Sequence, residues 1–127
     1  MSERVDPSSL PEDLPKLVGD GACQHLPGLQ LPSLSLLSTT GTLVDLASLA
    51  GRTVVYCYPM TGRPGQASPD GWNLIPGASG CTPQSCAFRD HYQELRQQGA
   101  TEVFGLSTQT NAYQQEAASR LLLPFAL

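Results

Sequence analysis

The sequence is short of charge, aromatic rings, histidine and long apolar runs, and each shortage removes a class of function. Charged residues make up only 14% of it, seven Lys plus Arg against eleven Asp plus Glu, for a formal net charge of −4. With no basic run, it offers no electrostatic footprint for a nucleic acid and no polybasic contact for a membrane surface. No stretch approaches the roughly 18 continuous apolar residues of a membrane span. The opening MSERVDPSSLPEDLPKL carries acids and prolines where a secretory leader has a basic segment followed by an apolar one. These absences predict a soluble cytoplasmic protein whose partners are proteins or small molecules. Only His25 and His91 are available as imidazoles, and no Cys-x-x-Cys pair occurs. That weighs against paired zinc ligands and against a dithiol oxidoreductase motif. In a reducing cytosol four cysteines do not make a static disulfide framework, so a pair that oxidises there does so transiently.

What remains is a chain of 127 residues that is 40% hydrophobic, enough for one small domain with a core. Residues 1–24 set Pro7, Pro11 and Pro15 among acids and serines, a composition that predicts an extended arm. Residues 25–127 form the expected domain. From Leu29 the run LQLPSLSLL, the turn residues Thr39-Thr40-Gly41 and the run TLVDL predict two short strands in a hairpin. ASLAG reads as one helical turn closed by Gly51. TVVYCYP, residues 53–59, predicts a strand buried on both faces and ended by Pro59. Residues 60–80 hold Pro64, Pro69 and Pro76 without periodicity and predict a long loop, a feature that is often functional.

A helix is expected from about Thr82, as N-cap with Pro83 behind it, to Gln98, with Phe88, Tyr92 and Leu95 on one face and Gly99 as the stop. TEVFGLS, 101–107, reads as a second buried strand, followed by a helix capped by Asn111 and ended before Pro124. Strand, helix, strand, helix predicts a parallel βαβ core, in which ligands gather beyond the carboxyl ends of the strands. GASGCTPQSCAFRD falls there.

Cys81 stands at the start of that helix, where unpaired backbone N–H groups and the positive end of the helix dipole favour a thiolate. This makes it the stronger candidate nucleophile. Cys86 lies five residues on, and in an intact helix the two Cα atoms would be roughly 8 to 9 Å apart, whereas a disulfide needs less than about 7 Å. The pair can stay reduced in the helix and bond when its first turn unwinds. Cys57, alternating within its strand, reads as a small core hydrophobe, and Cys23 as incidental. His91 would lie ~15 Å along the helix and about 80° round from Cys81, which excludes it as the base of a Cys-His pair.

The runs VVYCYP, GCTPQSCAFRDHYQEL, EVFGLSTQ and YQQEAASRLLLPF together resemble the peroxiredoxins, specifically the peroxiredoxin Q (bacterioferritin comigratory protein) group, over about residues 27–127. The resemblance implies an α/β, thioredoxin-like fold, incomplete at its C-terminal end, and reduction of hydroperoxides without metal or organic cofactor. It implies that Cys81 is the peroxidatic cysteine and Cys86 the resolving one, with a thioredoxin-type dithiol as reductant. Where the family places a Pro and a Thr or Ser ahead of the cysteine, this chain has Leu74 and Ala78. Pro59 is then the displaced proline, and Thr61 or Ser79 the hydroxyl that holds the peroxide. Family members continue beyond the position of Leu127 and carry an arginine directed at the thiolate, for which Arg63 is the stand-in here. An uncovered apolar strand at LLLPFAL would leave the chain a monomer or weakly self-associating. The rival readings are a thiol–disulfide oxidoreductase on the same fold and a redox-sensing or inactive fragment.

Overall fold

The computed structural model of this chain describes residues 12–127. The first part of the expected arm, up to residue 11, lies outside the described residues, and residues 12–34 form no strand or helix and are exposed almost throughout. Strands β1 (Ser35–Leu37) and β2 (Leu43–Asp45) then make the expected antiparallel hairpin, with Leu36 opposite Val44 and Gly41 in the turn at φ 82°. A single 3-10 turn, Leu46–Ser48, is started by the Asp45 carboxylate, which accepts from the Ala47 N–H.

Strand β3 (Arg52–Cys57) runs parallel to β4 (Ala100–Leu106), with Val54 opposite Val103 and Tyr56 opposite Gly105. The parallel pairing is what a strand, helix, strand order imposes, because the chain must cross over before pairing again. The long connection holds two 3-10 turns, Trp72–Leu74 and Ala78–Gly80, and then helices α1 (Cys81–Asp90) and α2 (Tyr92–Gln97). Helix α3 (Asn111–Arg120) follows β4. One cluster holds the core: Tyr56, Tyr58, Cys81, Val103, Ala117 and Phe125 are buried in it, with Val54, Phe88, Tyr92 and Leu95 packed against it.

Local chemistry shifts several boundaries. The turn Ala78–Gly80 runs directly into α1, so Gly80 takes the cap position without a side-chain bond and Cys81 is the first helical residue; Thr82 is already inside the helix. The single helix expected from Thr82 to Gln98 is two, divided at His91, whose φ of −101° and ψ of 10° leave helical geometry. Exposed His91 has no burial to lose at that bend and pairs with Glu94 at 3.2 Å. Thr110, one residue earlier than expected, caps α3 by accepting from the Tyr113 N–H, and Asn111 instead donates its side-chain amide to the Leu37 carbonyl.

Cys57 is a correction. Alternation along β3 turns Val54 and Tyr56 towards the helices and Cys57 towards the other face, where the hairpin covers Val55 but leaves Cys57 exposed. A cleft of about 180 Å³ lies between hairpin and sheet on that side, lined by Leu36, Val44, Val55, Phe104 and Leu106. The C-terminal residues also depart from expectation. LLLPFAL makes only a one-residue parallel bridge, Phe104 to Ala126, and Leu121, Phe125 and Leu127 are buried by it. The Leu127 carbonyl accepts from the Thr39 N–H, and its own N–H donates to Thr39 Oγ1, so these residues knit β4 to the hairpin.

Gly105 is fixed by space. A Cβ there would stand 2.5 Å from Leu127 Cδ2 and 2.8 Å from Tyr56 Cζ and Oη. The leucine can turn aside, but the tyrosine ring is held between Phe88 and Phe125. Gly105→Ala is therefore expected to destabilise the chain by about 1–3 kcal/mol, the usual size of an overpacking strain. Urea unfolding should show a lower midpoint at unchanged slope, and an unchanged midpoint would contradict this account of the Tyr56 seat.

Candidate active site

Tyr56 and Tyr58 sit two residues apart at the end of β3 and face the same side, and together they form the floor on which α1 rests. The Tyr56 ring stacks on Phe88 at 4.3 Å between centroids and 8° between planes. Its hydroxyl donates to Ser85 Oγ at 3.1 Å. Ser85 is completely buried, and it and Cys81, one turn earlier, are the two buried residues of α1. Cys86, next to Ser85, is half-buried.

Cys81 is 6% exposed and opens α1. Among the described residues no side chain caps this helix, and its first turn holds no acidic residue to neutralise the positive end of its dipole. The two thiols share one helix, five residues apart, and neither is bonded to another cysteine. Among the described residues no group of three or more His, Cys, Asp and Glu gathers in metal-binding proximity.

Burial pushes the Tyr56 phenol from its ordinary 10.0 up to about 12; the Ser85 contact opposes that rise and the neighbouring Cys86 adds to it. Tyr58 is raised too, first by burial and then by the proximity of Tyr56 and Cys81. Both phenols are thus neutral donors at physiological pH. The Tyr58 hydroxyl donates to Gln114 Oε1 at 3.4 Å, and Gln114 Nε2 donates to the Gln109 carbonyl at 2.7 Å.

Gln109 fastens the loop after β3 to the loop after β4. Its Oε1 accepts from the Thr61 N–H at 3.1 Å and from Thr61 Oγ1 at 3.4 Å, while its Nε2 donates to the Thr61 carbonyl at 3.5 Å. Ser107 Oγ donates to the Pro59 carbonyl at 3.1 Å and accepts from the Gln109 N–H at 3.2 Å. Further along the same loop, Arg120, paired with Glu116 at 2.7 Å, donates to the Gly62 carbonyl at 2.8 Å.

Thr61 is thus fully buried with its hydroxyl in the Gln109 contact. Pro59 is exposed and is held through its carbonyl. Ser79 is exposed and donates to Asn73 Oδ1 at 3.3 Å. Arg63 lies 5.9 Å above the Tyr113 ring, a cation–π contact on α3. Arg89 donates to the Leu121 carbonyl at 2.9 Å and pairs with Asp90, so it ties α1 to the end of α3. Reading the sequence missed Tyr56, Ser85, Gln109, Gln114 and Arg120. The tyrosines had a visible signal, two large rings at alternating positions of one strand just before the cysteine segment. The glutamines had none, because their partners lie across loops.

Comparison with known proteins places this geometry in context. The Redoxin family profile matches residues 26–127. A chloroplastic peroxiredoxin Q from Oryza sativa subsp. japonica is 36% identical over 101 residues, covering 79% of this chain and 39% of the rice protein. The chloroplastic peroxiredoxin Q of Triticum aestivum is 35% identical over 97 residues, 76% of this chain and 37% of the wheat protein. Among solved structures, the peroxidoxin BcpB of Mycobacterium tuberculosis superposes with a TM-score of 0.61 at 26% identity, over 79% of this chain and 56% of that one. A bacterioferritin comigratory protein from Xanthomonas campestris, described with alkyl peroxide reduction activity, gives a TM-score of 0.57 at 23% identity, over 74% and 50%. The fold is therefore thioredoxin-like, and the chain spans about two-fifths of the length of the curated relatives it matches.

One consequence of the buried phenol is measurable. Because Tyr56 holds its proton up to about 12 when folded and releases it near 10.0 when unfolded, the folded state binds more protons between those values, and stability falls as pH rises through that window. Below pH 10 the contribution is fully present. Unfolding curves from about pH 9 to 12 should show this decline, and Tyr56→Phe should remove part of it; an identical pH dependence in the two proteins would contradict the assignment.

Proposed function

Because the chain belongs to the redoxin family, we propose that it carries the thiol chemistry of a peroxiredoxin-type peroxidase, with Cys81 as the peroxidatic and Cys86 as the resolving cysteine. The observation that carries this reading is Cys81, buried at the uncapped start of α1 with a second thiol in the same helix. The Cys81 thiolate attacks the terminal oxygen of a hydroperoxide. The O–O bond breaks, the alkoxide or hydroxide leaves and takes a proton from solvent to become alcohol or water, and Cys81 becomes a sulfenic acid. The Cys86 thiol then attacks that sulfur, water leaves, and a Cys81–Cys86 disulfide remains. A thioredoxin-type dithiol in the cytoplasm restores both thiols by exchange and is itself oxidised.

Thr61 is the proposed hydroxyl for the peroxide, held in place by the Gln109 contacts beyond the end of β3 and free there only to accept. Pro59 and Ser79 are secondary candidates at either end of the long loop. Arg63 is occupied over Tyr113, and this favours a second reading in which the chain reacts slowly and serves as a redox-sensing fragment. An Arg63 held there contributes less to stabilising the charge that develops on the peroxide oxygens.

Peroxide consumption by the purified chain with thioredoxin tests the proposal. Cys81→Ser is expected to abolish it. Cys86→Ser should leave one equivalent of sulfenate forming at the wild-type rate but stop cycling, since only resolution is removed. Peptide mapping of the wild type after stoichiometric peroxide should find Cys81 joined to Cys86. Free thiols at both positions, or loss of the first sulfenate in Cys86→Ser, would overturn the assignment of roles.

A further inference from the structure

We infer that the Tyr56–Ser85 hydrogen bond is a latch on the first turn and a half of α1, and that its opening sets the rate at which Cys86 can reach Cys81. The inference rests on the roles proposed above for the two thiols. Both cysteines lie within the continuous helix Cys81–Asp90. Five residues of helix separate their Cα atoms by roughly 8 to 9 Å and turn them about 140° apart, so the disulfide cannot form without local unwinding. Unwinding has to lift the segment that contains Ser85.

Ser85 is where that segment is held. It is completely buried, between one cysteine a turn behind it and the other immediately ahead. Its hydroxyl meets the Tyr56 phenol at 3.1 Å. The phenol cannot follow a departing helix, because its ring is stacked on Phe88, faces Phe125 edge-on at 5.9 Å and rests over Gly105. Opening therefore leaves a buried hydroxyl without its partner, which costs more than losing an exposed bond. Phe88, on the next turn, stays seated on Tyr56, so the latch confines unwinding to the residues before it. Gln84 and Ala87 are exposed and hold nothing. Tyr56 and Ser85 are in this sense positioning residues: they touch neither peroxide nor reductant, and act through α1.

The test uses the full chain carrying Cys23→Ser and Cys57→Ser, so that only the helix thiols remain. Diamide, a diazene, accepts two electrons and two protons from the pair and forms the disulfide without peroxide. Ser85→Ala and Tyr56→Phe are each expected to speed Cys81–Cys86 disulfide formation by about fivefold to tenfold, the equilibrium shift associated with one buried hydrogen bond. Amide hydrogen exchange over residues 82–86 should rise by a similar factor. The double variant should be no faster than either single one, because both remove the same bond. Val103→Ala, which truncates the same core from β4 without touching the hydrogen bond, should lower stability with a smaller change in either rate.

Unchanged rates in both single variants, additive effects in the double, or equal acceleration by Val103→Ala would each overturn the latch. If one variant fails to fold, the other single variant and the exchange measurement decide. Failure of Cys81 to react with peroxide would refute the peroxidase reading and leave the diamide and exchange results standing on their own.

Discussion

The seating of the Tyr56 ring is the constraint on which the rest of this small structure depends. Among the described residues the largest side chains that are completely buried are those of Val103, Thr61 and Ser85, none of them bulky. The core must therefore take its bulk from rings. Tyr56 lies parallel to Phe88, edge-on to Phe125 and within 5.8 Å of Tyr58. Such pairs contribute about 0.5–1.5 kcal/mol each beyond their burial. The ring fits because its partner across the parallel ladder is Gly105. Once fitted, it fixes the height of α1 above the sheet, and with it the depth at which Cys81 is buried.

The two ends of the candidate site are built differently. On the sheet side, Thr61 is gripped through three polar contacts by one side chain, and Gln109 is itself gripped by Gln114. On the other side, the chain from Gly62 to Gly80 holds no buried residue and is fastened near its start by Arg120 and by Arg63 over Tyr113. A polar floor with every hydrogen bond accounted for keeps its geometry. The loop above it has few apolar contacts to lose and so sits at the low end of local stability.

Most of the order of elements was legible in the sequence because period and punctuation are local. Gly41, Gly51 and Gly99 stand where left-handed backbone is needed, and the hairpin, the two parallel strands and three of the helix boundaries follow from them to within a few residues. The cysteine helix was legible for the same reason. What was not legible depends on long-range packing. Cys57 reads as a core residue because it sits in an apolar strand, yet which face of a strand is covered is decided by other elements, and here the hairpin stops short of it. The Thr82 cap was displaced by a 3-10 turn that proline and glycine spacing does not reveal. Ser85 carries no local signal of its role, because its partner is on a strand.

The long loop between β3 and α1 has a consequence for how cheaply this fold can change. Thr61 and Gln109, which join the loop after β3 to the loop after β4, are 48 positions apart, and everything between them belongs to one closed circuit of chain. The entropy lost in closing such a circuit grows only with the logarithm of its length, so doubling it costs about 0.6 kcal/mol. Lengthening a segment already inside a large circuit is cheaper still, provided that it buries nothing and breaks no strand pairing. The span from Gly62 to Gly80 satisfies both conditions. It is therefore the stretch where residues can be gained or lost with the least effect on the folded state, leaving the thiols, their helix and the tyrosines beneath them in place.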